Sequence, residues 1–243
     1  MTGLNTDLRK LLLEAAAIVA SILIAFAIDS SWDEFQEDKQ RDYALAALRT
    51  EFHDTHAGAL STRNFHEEEQ VRLLRLLELT RQPPEDLDVE EFVQLVQGAI
   101  LFSTFLPPTG AMDSLVGSGD LNSLLEPELR SELAQFQKDL ESMYRTQQWG
   151  LAFVNEELTT YLGKRVPLVV FGFSRGELRE IFSTYYSEAE VEVYARKLLG
   201  SLEFQNLIHT RLLVSDLLEM KTGHLVKQAG IICIRLSAEC PAE

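Results

Sequence analysis

"LLLEAAAIVASILIAFAIDSSWDEFQEDKQRD", residues 11–42, passes from an apolar run to an acidic one with no glycine or proline between them. In residues 11–28 only Glu14 and Ser21 are polar, and eighteen residues of helix reach about 27 Å, close to the hydrocarbon thickness of a bilayer. We therefore expect a transmembrane anchor over residues 11–29. Arg9 and Lys10 precede it, whereas Asp29, Asp33, Glu34, Glu37 and Asp38 follow it before the first base, Lys39. That asymmetry puts residues 1–10 in the cytoplasm and the bulk of the chain outside it. Two other readings compete. A buried core helix is one, and a cleaved signal ending at Ala25-Phe26-Ala27 is the other, although nothing breaks the helix at that point.

Within the anchor, Ala17, Ser21, Ala25 and Asp29 form one i, i+4 row, with Glu14 a turn earlier on nearly the same side. Small residues let helices approach closely in lipid, so Glu14, Ala17, Ser21, Ala25 and Asp29 are the candidate packing face. A carboxyl at that depth must pair, stay protonated or snorkel. The plainer alternative is a snorkelling Glu14 and alanines that only fill space.

The net charge is -16, of which -15 lies beyond residue 29. Nucleic acid is a poor partner for such a surface. Residues 30–82 contain no proline and one glycine, Gly58, and their apolar residues recur at helical spacing. A long stalk helix is expected there, with a bend near Gly58 and an end at Pro83-Pro84. Residues 83–243 complete the chain as a helical domain outside the membrane. Asp88 and Glu91 are set to cap a helix running to about residue 102, Thr109 a short one to Leu115, and Ser187 with Glu190 another. Pro127 starts a helix in which Leu129, Leu133, Phe136, Leu140 and Met143 keep a 4, 3, 4, 3 spacing, resumed by Leu151, Val154, Leu158 and Tyr161 and closed at Gly163. The strand-like "VPLVVFGF", residues 166–173, has no partner strand of similar quality and reads as a buried connector. Two more helices follow, meeting near Gly200. The fold class is thus all-α: a transmembrane helix continuing into a stalk, then a helical bundle.

The run "TGAMDSLVGSGDLNSLLEPELRSELAQF" carries a Leu-x-x-Ser-Gly-x-Leu turn at residues 115–121 and a Pro-Glu-Leu-Arg helix start at Pro127. With the apolar N-terminal helix, it resembles a family of uncharacterised bacterial single-pass inner-membrane proteins. The resemblance covers about the first 145 residues. It implies a bacterial inner-membrane location with a periplasmic C-terminal domain, and carries over no activity and no catalytic residue.

A catalytic set is not visible. His66-Glu67-Glu68-Glu69-Gln70 puts Gln70 where a zinc protease needs its second histidine. His53 and His56 are i, i+3 neighbours without a further fixed ligand, and read as solvated helix residues. The "EEE" run at 67–69 and "EAEVE" at 188–192 read as solvated helix faces, and the glycines of "VGSGD" lack a phosphate-loop lysine. Cys233 and Cys240 could form a disulfide in an oxidising compartment, or Cys233 could be a small buried apolar residue and Cys240 free. We expect no enzyme, no cofactor and no metal. The favoured reading is a scaffold or accessory subunit that docks on a larger integral membrane complex, of respiratory, photosynthetic or transport type, or on copies of itself. A periplasmic sensor or ligand-binding module is the alternative, and a membrane-anchored hydrolase the third.

Overall fold

The computed structural model describes residues 4–118, 125–171, 185–237 and 240, apart from the side chains of residues 4–16 and 118. α1, Leu4–Arg81, is one uninterrupted helix. Its side chains stay exposed from residue 17 through Tyr43, and Leu48 is its first buried one. At 1.5 Å per residue the part before Ala44 projects about 60 Å from the rest of the protein. Among the described residues no helix is long and apolar enough to cross a membrane. The expected anchor at 11–29 straddles the limit of description, because the side chains of residues 11–16, including Glu14, lie outside it.

From Leu48 onward α1 joins two other long helices. α4, Pro127–Ala152, starts on Pro127 at its first position. It continues through a π-helical turn, Phe153–Leu158, into α5, Thr159–Gly163. α7, Leu202–Arg235, is capped by Ser201, which accepts from Phe204 N. α7 runs antiparallel to both neighbours. Against α1 the pairings descend from Arg49 and the Leu236 carbonyl (2.5 Å), through Arg63 and Glu219, to Glu69 and Arg211. Against α4 they run from Glu132–Arg235 (2.7 Å) through Asp139–Gln228 (2.8 Å) to Ser142–Lys221 (2.6 Å).

The fourth side of this bundle is not a single helix. α2, Val89–Ile100, capped by Asp88 as expected, folds back along the end of α1, where Arg75 grips Glu91. Residues 101–109 then descend as an extended strap, and α3, Gly110–Ser118, closes the base. A 3-10 turn, Leu168–Phe171, and α6, Glu188–Leu199, cover the far end. No strand is present among the described residues, and residues 166–171 of the strand-like run bury Val166 and Phe171 as a connector. Ser187 and Glu190 form the expected capping box.

Two core clusters result. The basal one gathers Leu48, Phe52, Met112, Leu133, Phe136 and Ile232; the distal one gathers Leu76, Phe92, Val96, Leu158, Leu198 and Phe204. Phe102 of the strap packs against both. The bend expected near Gly58 is absent: the glycine lies within an unbroken helix, and a Cβ there would stand 3.5 Å from the Phe105 ring, an ordinary van der Waals contact. Leu151 departs from the expected core register and is exposed, while Phe153 and Val154 are buried. The 4, 3 spacing continues from Met143 through Gln147 and Gly150, both buried, to Val154, and so passes Leu151 by.

Gly150 makes the tightest contact with the strap. A Cβ would fall 2.7 Å from Val214 Cγ1 and 2.8 Å from the Phe102 ring. Alanine improves helix propensity by about 1 kcal/mol, whereas overpacking a core costs about 1–3 kcal/mol. Gly150→Ala is therefore expected to lower stability by about 1 kcal/mol net, read as a reduced urea midpoint at unchanged slope.

Candidate functional site

An extended segment laid into a helical bundle brings backbone groups that no helical ladder satisfies, and burying them unpaired is costly. Each of the three long helices supplies one polar side chain to meet them. From α7, Arg211 donates through Nε to the Ala99 carbonyl (3.1 Å) and through Nη2 to the Leu101 carbonyl (2.9 Å). From α4, Gln147 accepts from Phe105 N (2.6 Å) and donates to the Phe105 carbonyl (3.2 Å). From α1, Glu51 accepts from Ala111 N (2.6 Å) and Met112 N (3.1 Å) at the start of α3. Together they form a polar seam along the inner side of the strap.

Arg211 is fully buried, and its charge is met by Glu69 of α1, 1% exposed, which Nη2 contacts directly. Glu69 Oε2 also lies 2.8 Å from Ser215 Oγ and 3.2 Å from His66 Nδ1. The guanidinium stands 5.1 Å from the centre of the Phe102 ring, which adds a cation–π contact. Burial pulls the Arg211 pKa below its usual value, and Glu69 opposes the fall. Burial pushes the Glu51 carboxyl above its usual range, against the two backbone donors that hold it down.

The chemistry open to this cluster is narrow. Ser215 Oγ bonds Glu69 and sits 3.2 Å from the His66 carbonyl, and its contacts do not include the imidazole, so no nucleophile–base pair is assembled. His66, Glu69, Arg211 and Ser215 are at most 1% exposed, so a substrate reaches them only if the bundle opens. At the surface beside the strap, where an extended chain is slimmer than a helix, a groove of about 290 Å³ is lined by Thr104, Leu106, Tyr144, Gln147, Gln148 and Leu151.

Two expectations about charged residues are corrected. Glu67 and Glu68 are solvated, but Glu69 is not: it is buried as the partner of Arg211. His53 is exposed beside Asp54 (3.1 Å), whereas His56 is buried next to Gly230. The cause is the same in both cases, since α7 packs along this side of α1. Among the described residues no group of three or more His, Cys, Asp or Glu could hold a metal ion.

Ala17, Ser21, Ala25 and Asp29 all lie on the projecting part of α1 and are exposed; Glu14 falls outside the described side chains. Ser21 Oγ donates to the Ile18 carbonyl of its own helix (2.8 Å). Cys233 and Cys240 are joined, with their Cα atoms 6.2 Å apart, and Ser237 between them takes a positive φ of 54°. This loop closes the end of α7 beside the point where Arg49 holds the Leu236 carbonyl. Of the Leu-x-x-Ser-Gly-x-Leu turn, residues 115–118 form the end of α3, and residues 119–121 lie outside the described residues.

The Arg211, Gln147 and Glu69 roles were missed from sequence, yet a signal was present. Arg211 interrupts the buried row Ile208, Val214, Leu218; Gln147 continues Phe136, Leu140, Met143; Glu69 precedes Leu73 and Leu76. A polar residue at a core position of a helical repeat is the mark of a buried bond. No protein-family model, curated protein or solved structure matches the chain.

Proposed function

We propose that this chain is a non-catalytic scaffold or accessory subunit, anchored by residues 11–29 in the bacterial inner membrane, with its bundle held out in the periplasm. The observation that carries the reading is the projecting half of α1. Ile18, Ile22, Leu23, Ile24, Phe26 and Ile28 are exposed on every side of that helix, with no part of the bundle against them. A helix apolar all round belongs in a core or a bilayer, and the bundle begins only at Leu48. Among the buried polar groups, Arg211, Gln147 and Glu51 are engaged by the strap and its flanking helix ends, and Glu69 by Arg211. Outward on α7, Leu213, Leu217, Met220, Ile231 and Ile234 recur as an exposed apolar stripe, a surface suited to docking on a partner protein.

In this reading Ala17, Ser21, Ala25 and Asp29 face a helix of the partner complex or of a second copy. Because the Ser21 hydroxyl is engaged within its own helix, its contribution there is small size rather than an interhelical hydrogen bond. The Cys233–Cys240 bond suits an oxidising periplasm. The groove beside the strap favours a second reading, a ligand-binding module, since its volume lies at the lower edge of the roughly 300–1,000 Å³ common for small-molecule pockets.

The test is membrane fractionation of the full chain expressed in bacteria. The protein is expected in the membrane pellet and to stay there through alkaline carbonate, and deletion of residues 11–28 should move it to the supernatant. Carbonate release of the intact chain would overturn the anchor.

A further inference from the structure

Two rings stand where the projecting helix changes polarity. Trp32 and Phe35, both exposed, have centroids 6.0 Å apart, and Lys39 Nζ lies 4.9 Å over the Phe35 ring. Before them the helix surface is apolar on all sides, from Ile18 through Ile28. The acidic residues begin at Asp29, a turn before Trp32, and continue with Asp33 and Glu34 between the rings and Glu37, Asp38 and Asp42 after them. At about 100° per residue these last five share one half of the circumference, with Trp32, Phe35 and Lys39 on the other. A protein groove covers one stripe of a helix. An apolar surface that runs all round the axis and ends within about a turn matches a planar boundary crossed by the helix, with hydrocarbon on one side and water on the other.

We infer that Trp32 and Phe35, with Lys39 behind them, seat at the hydrocarbon–headgroup boundary of the outer leaflet and set the height of the bundle above the membrane. This rests on the anchor reading and adds its register. Indole and phenyl rings prefer that depth, where one edge meets acyl chains and the other meets water. A lysine one turn further out reaches lipid phosphate with its ammonium while its stem lies along the ring. From Lys10 to Trp32 the helix rises about 33 Å, matching the hydrocarbon core with one interface added. From Trp32 to Leu48 it rises about 24 Å, so the base of the bundle stands clear of the headgroups on an acidic stalk.

The experiment uses the full-length protein in phosphatidylcholine vesicles. The chain has two tryptophans, so Trp149→Phe leaves Trp32 as the reporter. Flotation of the vesicles with bound protein comes first. Trp32 fluorescence is then quenched with lipids brominated at shallow or deep acyl positions, and with aqueous iodide. We expect several-fold stronger quenching by shallow than by deep bromines and partial protection from iodide. Moving the reporter one turn outward, with Trp32→Phe, Trp149→Phe and Gln36→Trp together, should weaken the bromine quenching and raise access to iodide. Stronger quenching by the deep bromines, or full iodide access for Trp32 in protein that floats, would overturn the register while leaving the anchor standing. Failure of the intact chain to float would overturn both.

Discussion

Replacing Arg211 by methionine is expected to lower the free energy of unfolding by about 3–5 kcal/mol, the range for removing one partner of a buried ion pair. Methionine keeps most of the stem volume, so the loss is electrostatic and hydrogen-bonding rather than a cavity. Glu69 would be left buried with only the His66 Nδ1 and Ser215 Oγ contacts, and the Ala99 and Leu101 carbonyls would lose their donor. Adding Glu69→Gln to Arg211→Met removes the stranded charge, and the double variant should be more stable than Arg211→Met alone. Chemical denaturation followed by circular dichroism in detergent measures both. A loss under about 1 kcal/mol for Arg211→Met would mean that the strap does not depend on the seam.

Phe136→Ala should cost a similar amount, about 3–5 kcal/mol, for a different reason. The Phe136 side chain is 2% exposed and meets Phe52 edge to face, with centroids 5.1 Å apart, at the centre of the basal cluster. Truncation deletes a ring's worth of buried surface and leaves a cavity lined by the residues that bind α4 to α1. The distal cluster keeps its own contacts around Phe92 and Phe204. Hydrogen exchange should therefore accelerate most at the basal ends of α1 and α7, around Phe52 and Ala229, and least around Val96 and Ile208. Uniform acceleration along the bundle would show that the two clusters unfold as one unit.

Much of the fold was legible in local chemistry. Asp88, Ser187 with Glu190, and Pro127 each mark a helix start by side-chain or ring geometry, and each is used as its residue type demands. Leu129, Leu133, Phe136, Leu140 and Met143 are buried, as their spacing requires. The absence of glycine and proline from residue 4 through residue 57 was enough for one long helix, because nothing in that stretch interrupts the hydrogen-bond ladder. Gly58 does not produce the expected bend, because a single glycine costs about 1 kcal/mol of helix propensity while leaving the hydrogen-bond ladder intact.

By itself the sequence determined helix positions, most caps, the acidic surface and the apolar stretch at residues 11–28, because each depends on residues within a turn or two of one another. Only the tertiary structure decided which polar residues are inside. Glu69 and Arg211 are 142 positions apart, and no periodicity tells either of the other until α7 reverses direction and lies along α1. The same holds for Gln147 and the strap. Residues 101–109 have no side-chain pattern that marks them as the fourth wall of a bundle. They take that place because the three helices around them offer a donor or acceptor to backbone groups at Leu101 and Phe105 of the strap, at Ala99 in the last turn of α2 before it, and at Ala111 and Met112 of α3 beyond it.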